Sequence, residues 1–392
     1  MKMLVFLDEL FHTSDQKCYY SNYSSGRFFS DFSNVKLSFM FPCSSLGKNR
    51  DEYTTKINNY HEVYCLPAWT SVISYISYRV KKTKDYEKAI RQYEEAVKKN
   101  DIIWVRLPSL PGMKIAEIAL KQNKKVVFHF AGEIKNAWKN NKYSSYKKPL
   151  AYLLSQYMQW KSDKLAKNSN VINLCTGSAL LDHYKNLNDN SIFFIDSLVS
   201  TKKLTHHIPS KNLRRFIYVG RFTEDKGILL LLDVVKRLKD DFSNFSLKII
   251  GFGPEENNIK QFIKDHKLEN NVELIGYVPN NNLINYYKNS DIFVMPSTLS
   301  EGFPRVIIEA WANGLAVVSS KVGGISSLGK NGHNILYCEK NSFDGLYSVM
   351  SDIMINNGLL EKLQRNILND RESITQEYFT KIVAKEILGN AL

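Results

Sequence analysis

From residue 216 to residue 338 short runs rich in β-branched and aromatic residues alternate with longer amphipathic runs, and this alternation limits the possible folds more than any other feature. Strand-length apolar runs separated by helical periodicity read as successive βα units, which build a parallel sheet with helices on both faces. The strand runs are FIYVG (216–220), FSLKIIG (245–251), NVELIG (271–276), DIFVMP (291–296), LAVVSS (315–320) and NILYC (334–338). Helices are expected at 228–240, 256–268, 281–290 and 304–313. The first half alternates less cleanly. Strand runs at 3–7, 36–41, 101–107, 124–130, 170–175 and 191–195, with helices at 86–100, 112–122 and 149–168, predict a second α/β domain there. A chain of 392 residues exceeds what one hydrophobic core usually serves. The expected organisation is therefore an N-terminal domain over 1–200, a linker over 201–213, a second domain over 214–372, and a C-terminal helix over 373–392 able to pack back on the N-terminal domain. Two doubly wound Rossmann-like domains would face a cleft at the carboxyl ends of their strands, where open α/β sheets bind ligands.

Composition excludes several classes. With 44% hydrophobic and 23% charged residues, the chain is neither disordered nor collagen-like. The net charge of +14 is uneven, with +11 in residues 1–200 and +3 in the remainder. Basic clusters at Arg79 to Lys84 and Lys139 to Lys148 suit an anionic membrane face or another polyanion, and a solvated lysine-rich surface accounts for them equally well. The lysines fit no nucleic-acid-binding module, so no nucleic-acid partner is expected. The helix at 149–168 carries Leu150, Leu153, Leu154, Tyr157 and Met158 between lysines. It reads as core-facing, with a membrane-surface role as the alternative. Five scattered cysteines with no C-x-x-C pair indicate neither a disulfide framework nor a zinc site, and suit a reducing cytosol. There is no apolar run of membrane-spanning length, and the five apolar residues before Asp8 are too few for a signal-peptide core.

Candidate chemistry lies at strand ends. The first strand of the second domain runs into Gly220-Arg221-Phe222-Thr223-Glu224-Asp225-Lys226-Gly227. Glycines allow close backbone approach to a phosphate, a helix beginning near Gly227 offers free N–H groups, and Arg221 and Lys226 could clamp a diphosphate. Gly251-Phe252-Gly253-Pro254 lacks dinucleotide spacing and reads as a tight turn near a ligand. In SEGFPRVIIEAWANG (300–314), Glu309 falls within a helix that is apolar nearly all round, where a bare carboxylate is costly. By itself it is explained by a pair with Arg305, and Glu301 by charge at the helix N-terminus.

Taken together, Ser300-Glu301-Gly302-Phe303-Pro304, Glu309 to Gly314 and Val322-Gly323-Gly324-Ile325 resemble the signature of the retaining nucleotide-sugar glycosyltransferases of family 4, which have the GT-B architecture. The blocks VGRF-TEDKG (219–227), IIGFGPE (249–255), VELIGYV (272–278) and SDIFVMPS (290–297) resemble that family's other blocks in the same order, so the likeness covers about residues 214–340. The resemblance implies that Arg221 and Lys226 bind the donor diphosphate and neutralise the leaving group. It places Glu309 on the nucleotide ribose, Glu301 near the donor sugar, and Gly220, Gly302, Phe303, Gly323, Gly324 and Ile325 beside the donor. Family members often continue the G-G-I loop with Pro-Glu, whereas Ser326-Ser327 follow here.

In the first half, Arg106 and His129, at the ends of strand runs, and Glu133, just after one, are candidate cleft residues by the same resemblance, while His129 reads equally well as core. The stretch Tyr19 to Arg27 stands where the family has a glycine-rich acceptor loop, yet only Gly26 is present. No D-x-D occurs and no ligand-spaced cluster is evident, so neither metal nor cofactor is expected. The implied activity is transfer of a sugar, with retention, from a nucleotide diphosphate sugar to a hydroxyl acceptor, a glycan or lipid-linked glycan in bacterial surface polysaccharide or glycolipid synthesis. The expected location is cytoplasmic, with a peripheral place at the inner membrane face as an extension. Alternatives are a nucleotide-sugar epimerase of the same architecture and a non-catalytic nucleotide-sugar-binding subunit.

Overall fold

A computed structural model describes residues 1–13, 17–21, 25–32, 34–45, 55–69, 71–81, 84–136, 138, 148–205, 210, 212–298 and 302–389. The chain divides into two compact units, Met1–Leu198 with Phe379–Leu392, and Val199–Tyr378.

The first unit contains β1 (Lys2–Phe6), β2 (Phe11–Thr13), β3 (Tyr19–Ser21), β4 (Lys36–Ser45), β5 (Thr55–Ile57), β6 (Glu62–Leu66), β7 (Ile102–Leu107), β8 (Lys125–Phe130), β9 (Val171–Cys175) and β10 (Ser191–Phe193). Seven of these form a parallel sheet in the order β6-β4-β1-β7-β8-β9-β10. The chain therefore winds outward from β1 in one direction, returns, and winds outward again from β7, so β1 and β7 flank the point where strand order reverses. Strands β2, β3 and β5 extend the far end of β4 as a small ribbon with antiparallel pairs. The strand centres are wholly buried, as expected where helices cover both faces of a parallel sheet.

One sequence expectation is corrected in this unit: Cys43 and Cys65 form a disulfide, with their Cα atoms 5.3 Å apart. Parallel pairing of β4 with β6 sets Phe41 opposite Cys65 and so brings Cys43 close by. A spacing of 22 residues carries no cysteine motif that would reveal this register.

The second unit contains β11 (Arg214–Val219), β12 (Phe245–Ile250), β13 (Val272–Gly276), β14 (Ile292–Met295), β15 (Ala316–Ser320) and β16 (Leu336–Cys338). They form one parallel sheet in the order β13-β12-β11-β14-β15-β16. This is the 3-2-1-4-5-6 order of a doubly wound fold, with its reversal between β11 and β14. The helix Ile228–Asp241 buries Ile228, Leu231, Leu232, Val234, Val235 and Leu238, one continuous stripe at helical spacing.

Glycines let the loops at the reversal meet backbone to backbone. A Cβ on Gly251, whose φ is +145°, would lie 1.8 Å from the Gly220 carbonyl oxygen, and one on Gly227, at φ +69°, would lie 2.1 Å from that of Pro296. The amide of Phe222 donates to the Phe252 carbonyl at 2.8 Å, and that of Thr298 to Asp225 at 2.8 Å. Gly332 has a positive φ of +70° but open space around it. Gly332→Ala should therefore cost only the left-handed strain, about 1–2 kcal/mol. Gly251→Ala adds a backbone collision, so its thermal unfolding midpoint should fall further than that of Gly332→Ala. Equal midpoints would contradict the packing described.

Candidate functional site

In the second unit, β11 delivers the loop Gly220–Gly227 to the carboxyl end of the sheet, beside the loop that follows β14. Gly220 lies against the Tyr218 ring, whose hydroxyl donates to the Arg221 carbonyl at 3.0 Å and fixes the turn. Arg221 is exposed, and among the described residues no ion pair holds its guanidinium. Lys226 is only 8% exposed. Burial pushes its ammonium down to about 8, Asp225 pulls it back up, and Arg221 pushes it further down. A cation so placed gains strongly from an anion, because the partly dry surroundings screen it little. Gly227 begins the helix Ile228–Asp241, and no side chain of the described residues caps it. The first amides of that helix thus stand at the loop with the two cations, an arrangement suited to a phosphate.

Beyond β14, Ser300 and Glu301 lie outside the described residues. Gly302 and Phe303 follow. The Phe303 side chain is buried near Trp311, and the Gly302 carbonyl accepts from the Gly324 amide at 2.9 Å. That bond ties the loop to the turn Gly323–Ser327, in which Gly323 has φ +56° and Ile325 is buried. The G-G-I turn and the Gly302–Phe303 segment are therefore held side by side.

Glu309 sits in the helix Arg305–Ala312. Its carboxylate accepts from the Tyr287 hydroxyl at 3.1 Å and from the Asn280 amide at 3.2 Å, both on the preceding helix Asn280–Lys288. These donors explain how a carboxylate is tolerated in an apolar helix. Burial and the nearby Glu309 charge raise the Tyr287 hydroxyl well above its ordinary value, so it stays a donor. Sequence reading missed both residues, since nothing in the spacing between 280 and 309 announces the contact. It also missed Phe252 and Tyr277, 55% and 61% exposed at the ends of β12 and β13, whose rings meet edge to face at 5.6 Å.

In the first unit, a cavity of about 260 Å³ opens at the carboxyl ends of β1, β7 and β8, lined by Asp8, Glu9, Arg106, Pro108, Gly132 and Glu133 among others. The Arg106 guanidinium donates to Asp196 at 2.8 Å and to the Ser25 hydroxyl at 2.6 Å, and Ser25 in turn donates to Glu9 at 2.5 Å. Asp8 is open to this cavity, yet enough protein surrounds its carboxyl to raise its pKa, while hydrogen bonds from Ser109 at 2.7 Å and Trp69 at 3.3 Å oppose the shift. Asp8 and Glu9 were missed, although both follow the first strand run directly. Glu133 accepts from Asn136 at 2.8 Å. His129 is not part of this cavity lining. It is 3% exposed, packs edge-on against Phe194 and Trp104, and lies 3.4 Å from the Thr176 hydroxyl, which is a core environment. No cluster of three or more metal-ligating side chains occurs among the described residues.

Comparison with known proteins adds a family match for part of the chain. Residues 185–370 match the family model described as glycosyl transferases group 1. The chain is 38% identical over 119 residues to the amylovoran biosynthesis glycosyltransferase AmsK of Erwinia amylovora, a match spanning 29% of either chain. It is 26% identical over 285 residues to Protein CapJ of Staphylococcus aureus, covering 71% of this chain and 68% of that one. The match to the colanic acid biosynthesis glycosyltransferase WcaL of Salmonella typhimurium spans only 43% of that relative's length. Among solved structures, Anabaena Alr3699/HepE in complex with UDP superposes with a TM-score of 0.69 at 14% identity, over 99% of this chain and 100% of that one. The lipopolysaccharide outer core galactosyltransferase WaaB gives 0.67 at 17% identity over the whole of both chains. Residues 185–370, which include the entire sheet of the second unit, thus match the glycosyl transferases group 1 family, in a chain whose fold is that of solved GT-B glycosyltransferases.

Proposed function

We propose that the protein is a nucleotide-sugar-dependent glycosyltransferase acting with retention in bacterial surface polysaccharide synthesis. The observation that carries this reading is the convergence of exposed Arg221, buried Lys226 and the uncapped start of the helix Ile228–Asp241 at the reversal point of the second sheet. Three sources of positive potential meet in one loop, and the ligand they suit is a diphosphate. The names of relatives, which place amylovoran, colanic acid and teichuronic acid synthesis among their roles, support the acceptor class. The UDP held by a neighbour of the same fold supports the donor class.

In this reading the diphosphate of the donor lies against the Gly220–Gly227 loop, and Glu309 takes the ribose hydroxyls. Phe252 and Tyr277 offer an exposed aromatic surface for the base, and Gly302, Phe303, Gly323, Gly324 and Ile325 border the sugar. Glu301 belongs to this sugar side by the motif it occupies. Transfer breaks the bond between the anomeric carbon and the diphosphate oxygen and forms one to the acceptor oxygen on the same face. The acceptor proton passes to the departing diphosphate. Arg221 and Lys226 stabilise the charge that develops there, so the protein acts chiefly by electrostatic preorganisation. In the first unit, Arg106 and Glu133 join Asp8 and Glu9 as groups able to bind acceptor hydroxyls. His129 serves the core.

Replacement of Arg221 or Lys226 by Ala should lower turnover roughly 10²- to 10³-fold, the usual effect of removing one such stabilising group. The exposed Arg221 should leave the melting temperature nearly unchanged. A thermal-shift screen with UDP, GDP, ADP and TDP and their sugars should identify the base, and the stabilisation should shrink in Arg221→Ala. Near-normal turnover in both variants would sink the assignment, and nucleotide binding without any turnover would mark a binding subunit instead.

The buried lysine also sets a pH dependence. A bound diphosphate raises the Lys226 pKa above its free value of about 8, so affinity is full below that pH and falls as pH rises through it. Titrations of UDP across this range should show the fall in the native protein and a flat profile in Lys226→Arg, whose guanidinium stays charged. Parallel profiles for the two proteins would show that Lys226 does not contact the diphosphate.

A further inference from the structure

The helix Lys148–Ala166 in the first unit has two unlike faces. Leu154, Met158, Leu165 and Ala166 pack into the core. Leu150, Leu153, Tyr157 and Trp160 are instead 63%, 64%, 42% and 59% exposed. These four recur at intervals of three and four residues, so they form one stripe along the outer face, about 15 Å long at 1.5 Å per residue. The expectation that Leu150, Leu153 and Tyr157 face the core is thus corrected, because of the five apolar residues named only Leu154 and Met158 reach it. Tyr152, 45% exposed, meets the ring of Trp138 edge to face at 5.4 Å, and Tyr157 lies 6.0 Å from Trp160. The exposed charges that flank the stripe are lysines, while Asp163, three residues past Trp160, is partly buried and paired with His183 at 3.0 Å. Lys164 stands over the Trp160 ring at 5.5 Å, Lys164 and Lys167 are exposed beyond its end, and Lys148 begins it. In sequence, Lys139, Lys142 and Lys147 precede the helix. No helix among the described residues is long and apolar enough to cross a membrane.

We propose that this stripe docks the protein on an anionic lipid surface, lying in the plane of the headgroups. Leucines would enter the acyl boundary, Tyr157 and Trp160 would sit at headgroup level with their polar edges outward, and Lys148, Lys164 and Lys167 would reach the lipid phosphates. Charge selects this occupant over a second copy of the chain. Self-pairing about a two-fold axis sets the stripe against itself, so both its lysine-bearing ends face lysines whether the helices run parallel or antiparallel. An anionic surface removes that repulsion, and it also accounts for apolar exposure beyond what scattered surface residues show.

The test is co-sedimentation of the full chain with vesicles of phosphatidylcholine alone, and of phosphatidylcholine with an equal part of phosphatidylglycerol, at low and high salt. The native protein should bind the mixed vesicles at low salt, bind phosphatidylcholine weakly, and lose affinity as salt rises. Leu153→Ser/Trp160→Ser and Lys164→Glu/Lys167→Glu should each bind at least about tenfold more weakly. Both pairs are exposed, so the thermal unfolding midpoint of each variant should stay near that of the native protein and show that the first unit is folded. Failure of the native protein to bind the mixed vesicles would overturn the proposal, as would unchanged binding by both variants. So would a native dimer in light scattering that Leu153→Ser/Trp160→Ser turns into a monomer, since a second copy would then cover the stripe.

Discussion

Everything proposed for the second unit depends on a backbone contact: three strand-to-helix loops touch through glycine positions at the reversal between β11 and β14. The Gly220 carbonyl fills the space where Gly251 would carry a Cβ, and the Pro296 carbonyl fills the corresponding space at Gly227. Amides of Phe222 and Thr298 bond across the same seam. The loops are held through their main chain, with the Tyr218 hydroxyl bonding the Arg221 carbonyl, and the Arg221 guanidinium remains uncommitted to any ion pair among the described residues. Rigid backbone beneath a free cation is the condition for electrostatic preorganisation, since little reorganisation is then needed when charge develops.

The two cations differ in kind. Arg221 is exposed and adds a planar fork at the loop rim, whereas Lys226 is buried and holds its proton weakly. Burial lowers its pKa, so a bound anion would raise it again, which makes this lysine responsive to the ligand. Glu309 shows the opposite solution. Its charge is tolerated through hydrogen bonds from Tyr287 and Asn280, supplied before any ligand binds.

How much of this could be read in the residues varies with the physical scale of the interaction. The sheet of the second unit was legible because parallel strands buried on both faces appear as continuous apolar runs, and the six expected runs coincide with β11 to β16 to within a few residues. The ribbon β2, β3 and β5 was not legible, since three-residue strands such as Thr55–Ile57 carry no period of their own. Neither was the Cys43–Cys65 bond, which follows from the register of β4 on β6 and from no local pattern. His129 lies near the end of a strand run just as Arg106 does, and the register pairs the two, so both share one face of the sheet; Trp104 and Phe194 pack against the His129 ring, whereas Arg106 reaches the cavity lining. In the helix Lys148–Ala166 the apolar residues cover too wide an arc for one buried face, and composition could not say which part is left outside.

The central claim is that the reversal of the second sheet is where a nucleoside diphosphate binds. Hydrogen exchange of the backbone amides with and without UDP tests it most directly, because it reports separately on each loop and helix start that carries a proposed contact. Slowed exchange should concentrate in the segments containing Gly220 to Leu230, Gly302 to Glu309 and Gly323 to Ile325. Slowing confined to other segments, with these three unchanged at saturating UDP, would contradict the account.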